Sequence, residues 1–165
     1  GWKIDQEAEV KALTEIIENG ETQVRKPVYA QEGLSRKTND IGYTYIEIDL
    51  TAQRMVFYKN GTPIADAPVV SGNPYVPNCA TPTGCYTVGE TKSSYTVNGE
   101  DYPSAVNYWI PFDGNLGIND APWRGSFGEQ LYEFEGTHGS ICAPTDQVQI
   151  IYSNVEKNTP VVIYE

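Results

Sequence analysis

The residues with the most chemical potential lie in one short run, Gly136-Thr137-His138-Gly139-Ser140-Ile141-Cys142-Ala143-Pro144. A hydroxyl, the chain's single imidazole, a glycine and a second hydroxyl follow one another, just before a helical pattern. A nucleophile with an imidazole nearby is the general arrangement for acyl transfer. Gly139 permits a tight backbone turn. Free N–H groups at the start of the following helix are expected to face an oxyanion. Judged on this run alone, a lone histidine beside a loop serine is more often structural, and both readings stay open.

Such a run needs a scaffold to position it, and the hydrophobic pattern supplies strands. Tyr43 to Leu50 alternates β-branched or aromatic residues with polar ones, which predicts a strand. Further strands are predicted over Gln53 to Tyr58, Ile64 to Ser71, Cys85 to Val88, Tyr95 to Val97 and Val106 to Pro111. Asn60-Gly61 and Asn98-Gly99 are hairpin signals. A helix is predicted over Thr145 to Val155, where Val148, Ile151, Tyr152 and Val155 recur at helical spacing and Thr145 is placed to cap. Pro160 to Tyr164 closes the chain as an apolar strand.

The first 40 residues read differently. Asp5 to Asn19 predicts an amphipathic helix capped by Asp5, with a stripe of Ala8, Leu13, Ile16 and Ile17 joined by Val10 or Ala12, ending at Asn19-Gly20. Glu21 to Val28 is polar and β-prone, and the turn-rich Gly33 to Asp40 marks a boundary. The expected organisation is residues 1–40 as the end of a preceding module and linker, then residues 41–165 as a mostly-β domain with one late helix.

Composition excludes several classes. The 165 residues carry 22 acids against 11 bases, a net charge of −11, with no basic patch, so nucleic acid and anionic membrane surfaces are excluded as partners. No apolar run is long enough to span a bilayer, and any secretion signal or anchor is expected outside this sequence. Cys79 and Cys85 flank a Pro- and Gly-containing turn and are read either as a disulfide or as two free thiols. One histidine and no Cys-x-x-Cys pair argue against zinc, and no metal or organic cofactor is expected. The chain is taken as a monomer.

The run Thr137-His138-Gly139-Ser140-Ile141 resembles the Ser/Thr-His-Gly-Cys-hydrophobic-Asn motif of L,D-transpeptidases of the YkuD type. The resemblance extends to Val106-Asn107-Tyr108-Trp109-Ile110-Pro111-Phe112, Gly117-Ile118-Asn119-Asp120, Trp123 and Phe127-Gly128. Ser71-Gly72-Asn73, Thr81-Pro82-Thr83-Gly84 and the ending Thr159-Pro160-Val161-Val162-Ile163 are similar as well. Coverage begins near Ile41, and the preceding segment resembles the last part of a wall-binding domain of Gram-positive members. The resemblance implies a β-sandwich-like domain of mixed strands, outside the cell in the wall or membrane-anchored, with no cofactor. It implies a reaction too. A cysteine attacks the carbonyl of the third residue of a peptidoglycan tetrapeptide stem, D-alanine leaves, and an amine of a neighbouring stem resolves the thioester into a three-to-three cross-link. Carbapenems acylate that same cysteine.

Three positions depart from the motif. Ser140 stands where the family has its nucleophilic cysteine. Asn119, separated from Thr137 by the seventeen residues 120–136 and with its Asp120 neighbour intact, stands where the family has its histidine base. Asparagine takes up no proton at working pH. Cys142 occupies the position that is usually Asn or Arg. A deliberate Cys-to-Ser exchange explains Ser140 but not Cys142. A natural relative with degraded chemistry, binding stems without cross-linking them, explains all three. A shifted nucleophile at Cys142 with His138 as partner requires a displacement of several ångströms, beyond what attack tolerates. Thr137, His138 and Gly139 are expected to shape the loop around Ser140. On the substrate side the candidates are Tyr108, Trp109, Asp120, Trp123, Arg124 and Cys142. Arg124 suits a stem carboxylate, while Trp109 and Trp123 read equally as core, Asp120 as a turn residue and Arg124 as an ordinary exposed side chain.

Overall fold

The computed structural model describes residues 1–33, 36, 39–98 and 103–165. They form two compact units, Gly1–Gly42 and Tyr43–Glu165. The second Asn-Gly signal ends at Gly99, outside the described residues, as do parts of the polar stretch 33–40.

In the first unit, strand β1 (Lys3–Ile4) leads into helix α1 (Gln6–Glu18) and later pairs antiparallel with β2 (Tyr29–Gln31). The Asp5 side chain caps α1 by accepting the Ala8 N–H at 3.0 Å, which satisfies one of the donors a helix start leaves free. Gly20, at φ 65°, ends it. The predicted apolar stripe is not buried: α1 holds no buried residue, and Val10 and Ile17 are 63% and 76% exposed. The β-prone reading of Glu21 to Val28 is corrected. That stretch forms no strand, and the Glu9 carboxylate ties it down by accepting from the Val28 N–H at 2.7 Å and pairing with Arg25 at 2.9 Å.

The second unit is mostly β. Strands β3 (Tyr45–Asp49), β4 (Arg54–Lys59), β5 (Thr62–Pro68), β6 (Gly84–Thr87), β7 (Lys92–Asn98), β8 (Pro103–Asp113) and β9 (Leu116–Asp120) come first. Helix α2 (Leu131–Glu135), β10 (Ile141–Ala143), helix α3 (Thr145–Asn154) and β11 (Pro160–Tyr164) follow. One sheet has the order β5-β4-β3-β11-β6 and the other β10-β9-β8-β7. The alternation in β3 buries Ile46 and Ile48 completely. Asn60 and Gly61, at φ 52° and 80°, make the β4–β5 turn with both central residues left-handed, as a tight hairpin requires. One core joins both sheets and α3: Ile46, Phe57 and Ile163 from the first, Ile110, Ile118 and Ile141 from the second, and Val148 and Ile151 from the helix.

In the second unit three elements lay outside the sequence reading, β9, β10 and α2, as did β1 and β2 in the first. Leu116-Gly117-Ile118-Asn119-Asp120 has three residues of low strand propensity, and burial in mid-sheet overrides that weak local preference. The cap of α3 is also corrected. Pro144 occupies the capping position, and the Thr145 hydroxyl donates instead to Asp120 Oδ2 at 3.2 Å.

Candidate active site

The site is built where β10 runs parallel beside β9, with Ile141 opposite Ile118, Cys142 opposite Asn119 and Ala143 opposite Asp120. Strand alternation sends Ile141 and Ile118 into the main core and turns Cys142 and Asn119 to the other face. Ser140 immediately precedes β10, and its Oγ accepts the Gly117 N–H at 3.3 Å. The helix expected after this run begins at Thr145 as predicted, with strand β10 lying between it and Ser140. No helix terminus therefore follows Ser140 directly to serve an oxyanion.

The turn before Ser140 is fixed by hydrogen bonds from three parts of the chain. The Thr137 hydroxyl donates to the Ser140 carbonyl at 2.5 Å and accepts the Gly139 N–H at 3.2 Å. Gly139 sits at φ 98°, where a side chain would strain the backbone. Thr81 bridges the turn to the strand exit after β5: its hydroxyl donates to the Gly139 carbonyl at 2.9 Å and accepts the Gly72 N–H at 2.8 Å. A Cβ on Gly72 would come within 1.9 Å of the Cys79 carbonyl and 2.8 Å of Gly139, so only glycine fits. Thr137 N–H and Asn73 N–H complete the join, bonding the Ser71 and Thr137 carbonyls at 2.9 and 3.1 Å. Behind it, the buried Gln53 amide donates to Ser71 Oγ and accepts the Ser71 N–H, at 2.8 and 3.0 Å. A cavity of about 200 Å³ opens beside this network, walled by Gln53, Ser71, Gly72, Thr81 and Tyr132 among others. Ser71, Gly72 and Thr81 entered the sequence reading only as parts of a signature, and Gln53 only as the start of a strand.

The remaining candidates fall into distinct groups. The His138 ring is exposed and makes no hydrogen bond among the described residues. Asn119 is 4% exposed, and its Nδ2 donates to the Asp120 carbonyl at 3.0 Å and to Cys142 Sγ at 3.4 Å. Burial pushes the Cys142 thiol up, outweighing the Asn119 amide and the Arg124 guanidinium, which pull it down; Asp120 adds to the rise. Cys142 is 5% exposed, and a buried thiol is poorly placed to attack a substrate, which argues against the shifted-nucleophile account. As a ligand contact Cys142 is corrected too, because it packs against Val70 and Ala121.

Trp109 is likewise a core residue, stacked on Tyr95 at 5.6 Å and filling the space over Gly117. Asp120 is neither exposed nor in a turn. It is fully buried in β9, where Oδ1 accepts the Asn107 and Tyr108 N–H groups at 2.8 and 2.9 Å and Oδ2 accepts Asn107 Nδ2 at 2.6 Å. It fastens β8 and α3 to β9. Half-buried Tyr108 packs on Tyr152 at 5.0 Å, whereas Trp123 is exposed. Arg124 is largely covered. It donates to the Glu135 carbonyl at 2.5 Å and pairs with the Glu135 carboxylate at 3.6 Å. Cys79 and Cys85 are both free thiols, the first buried and the second exposed. Among the described residues no group of acids, cysteines and histidine is arranged to hold a metal.

Comparison with known proteins adds independent support. The L,D-transpeptidase catalytic domain (YkuD) model matches residues 43–163. A comparison with curated sequences returned no match. The crystal structure of an Enterococcus faecium L,D-transpeptidase cysteine-to-serine mutant is 35% identical with a TM-score of 0.75, covering 99% of this chain and 66% of that one. This chain thus spans slightly under two thirds of that protein's length. The NMR structure of the E. faecium catalytic domain acylated by ertapenem is 37% identical with a TM-score of 0.67, over 74% of this chain and 98% of that one. An L,D-transpeptidase from Mycobacterium tuberculosis H37Rv, 19% identical, shares the fold with a TM-score of 0.65 over 74% of this chain and 58% of that one. Fold, matched family model and identity to the E. faecium enzyme agree: this chain belongs to the L,D-transpeptidase (YkuD) catalytic-domain family of acyltransferases.

Proposed function

We propose that this domain recognises the tetrapeptide stems of peptidoglycan outside the cell, and that its acyl transfer is impaired because Ser140 and Asn119 stand at the nucleophile and base positions. In the three-to-three reaction of the family, a sulfur attacks the carbonyl carbon of the third stem residue. The peptide bond to D-alanine breaks, its amine leaves with a proton, and a second stem's amine displaces the sulfur. Ser140 would have to lose its hydroxyl proton before it could form the corresponding ester.

The observation that carries this reading is the orientation of Asn119. Its amide nitrogen donates to the Asp120 carbonyl and to Cys142, so the base position presents no group able to accept a proton from Ser140. The intact turn, held by Thr137, Gly139 and Thr81, supports retention of a stem-binding surface. Stems and carbapenems are the ligands, a monomer is the working form, and the location is extracellular, in the cell wall or anchored to the membrane.

The test is intact mass after incubation with a carbapenem, followed by peptide mapping. The parent chain is expected to carry no adduct. The Ser140→Cys, Asn119→His double variant is expected to gain one on residue 140. A double variant that folds and stays unmodified would sink the assignment of position 140. An adduct on parent Ser140 would show that the turn activates a hydroxyl without a base.

A further inference from the structure

Strand β10 begins to pair with β9 at Ile141, opposite Ile118, so Gly117 lies just before that ladder starts. β9 runs between β8 and β10, and the Gly117 N–H turns to the β10 side. A buried backbone donor left over at the end of a ladder needs a partner. Here it finds a side chain, because the Ser140 Oγ accepts it at 3.3 Å. Gly117 is buried and Ser140 half-buried. Among the described residues this is the one hydrogen bond made by the Ser140 Oγ, and its own proton meets no acceptor.

Packing on both sides fixes this donor. A Cβ on Gly117 would come within 2.7 Å of the buried Trp109 ring and 2.9 Å of the Ile110 carbonyl, so β9 lies tight against the indole and only glycine fits. Toward the turn, a Cβ on Gly139 would meet Leu116 at 3.0 Å, which places the edge of β9 directly against the residue before Ser140. The elements around residue 140 bring few charges to it. The turn carries His138, whose ring is exposed, and Asp113 is exposed at the β8–β9 hairpin. Further along β10 and β9, the Cys142 thiol is buried and the Asp120 carboxylate is surrounded by donors. Arg124 is engaged by Glu135. Leu116, Gly117 and Thr81 carry no charge.

We infer that the Gly117 N–H is a catalytic backbone donor: it holds the reacting atom of residue 140 in place and stabilises that atom once its proton has left to water. This inference rests on position 140 being the nucleophile position. A donor fixed by the backbone costs no reorganisation when charge develops on its acceptor. A hydrogen bond to the charged form favours that form. For a serine hydroxyl one N–H does not replace the base that Asn119 cannot supply. For a thiol, which ionises near about 8.5 unaided, the same N–H brings the reactive form toward neutral pH. The two strands thus divide the work, with β10 presenting the nucleophile and β9 the donor that faces it.

The experiment uses the full chain carrying Ser140→Cys as reporter, alkylated with iodoacetamide from pH 5 to 10. The rate at the thiol introduced at position 140 is read by peptide mapping, and exposed Cys85 in the same sample serves as internal reference. Gly117 is then replaced by glycolic acid, which turns its N–H into an ester oxygen and leaves the shape of the chain unchanged. The midpoint at position 140 is expected to rise by roughly 1 pH unit, while that of Cys85 stays put. The same ester at Gly114, a hairpin position with open space around it, is expected to move neither. No shift from the ester at 117, or equal shifts from the two esters, overturns the inference and leaves the contact as a purely structural one. If the ester at 117 fails to fold, the amide proton of Gly117 decides, followed by NMR in the Ser140→Cys chain over the same pH range. It is expected to move downfield with the midpoint of the alkylation profile, and an amide that ignores that midpoint overturns the inference. Carbapenem acylation of the Ser140→Cys, Asn119→His variant is measured alongside. A midpoint shift without acylation leaves the donor standing and refutes the functional reading, while acylation without a shift does the reverse.

Discussion

Replacing Thr81 by valine should damage the site more than its small change in shape suggests. Valine matches threonine in volume, so the packing loss is minor. The lost hydroxyl, however, serves two buried backbone groups, the Gly72 N–H at 2.8 Å and the Gly139 carbonyl at 2.9 Å. Thr81 is 7% exposed, and both glycines are buried, so water does not readily substitute. Leaving one buried polar backbone group unpaired costs about 1–3 kcal/mol, and two of them about 2–6 kcal/mol. Thr81→Ser keeps the hydroxyl and removes one methyl, for about 1 kcal/mol. Urea unfolding followed by near-UV circular dichroism, where buried Trp109 reports, separates the two variants. With a slope of roughly 2 kcal/mol/M, Thr81→Val should lower the midpoint by about 1–2 M or more, and Thr81→Ser by about 0.5 M. An unchanged slope is required for these shifts to be read as stability. A valine variant within about 0.5 kcal/mol of the parent would refute the bridge, and so would a serine variant less stable than the valine one.

Two further outcomes follow from buried or paired groups. Asp120→Asn turns an amide NH₂ toward donors that now meet carboxylate oxygens, and should cost roughly 3 kcal/mol, lowering Tm by about 10 °C; a drop under about 2 °C would contradict its role as the fastener of β8 and α3. Tyr164 donates to Glu47 Oε1 at 2.6 Å, and this bond, with burial and nearby acids, pushes its phenol up to about 12. Since the unfolded phenol titrates near 10, the contribution to stability is complete below that pH and is lost as pH rises toward 12. Tyr45, Tyr86 and Tyr132 are raised as well, Tyr45 partly by Glu47, so spectrophotometric titration should find the late end of the tyrosine curve moving earlier in Glu47→Gln, and a curve identical in both proteins would argue against the pairing.

Some of this protein was written in local sequence. Alternation placed β3, an apolar run placed β11, Asn60-Gly61 placed the hairpin, and the spacing of Val148 and Ile151 placed α3 with its buried face. The resemblance carried by Thr137-His138-Gly139 pointed to the right family, because a short motif of fixed spacing survives at low identity. The run containing Ser140 was thus legible, along with the absence of an imidazole at position 119. What stayed hidden depends on partners far apart in the chain. β9 and β10 pair across more than twenty positions, and neither has the composition of a strand by itself. The burial of Trp109, Asp120 and Cys142 was undecidable from residue type, since each can serve a groove or a core equally well. Gln53 and Thr81 are ordinary polar residues until the fold brings them to Ser71, Gly72 and Gly139. Periodicity reports neighbours two to four residues away, whereas the geometry of this turn also depends on hydrogen bonds that join distant parts of the chain, such as Thr81 to Gly139 across 58 positions. Sequence therefore determined which residues line up near the chemistry, and tertiary packing alone decided which face outward and which are locked inside.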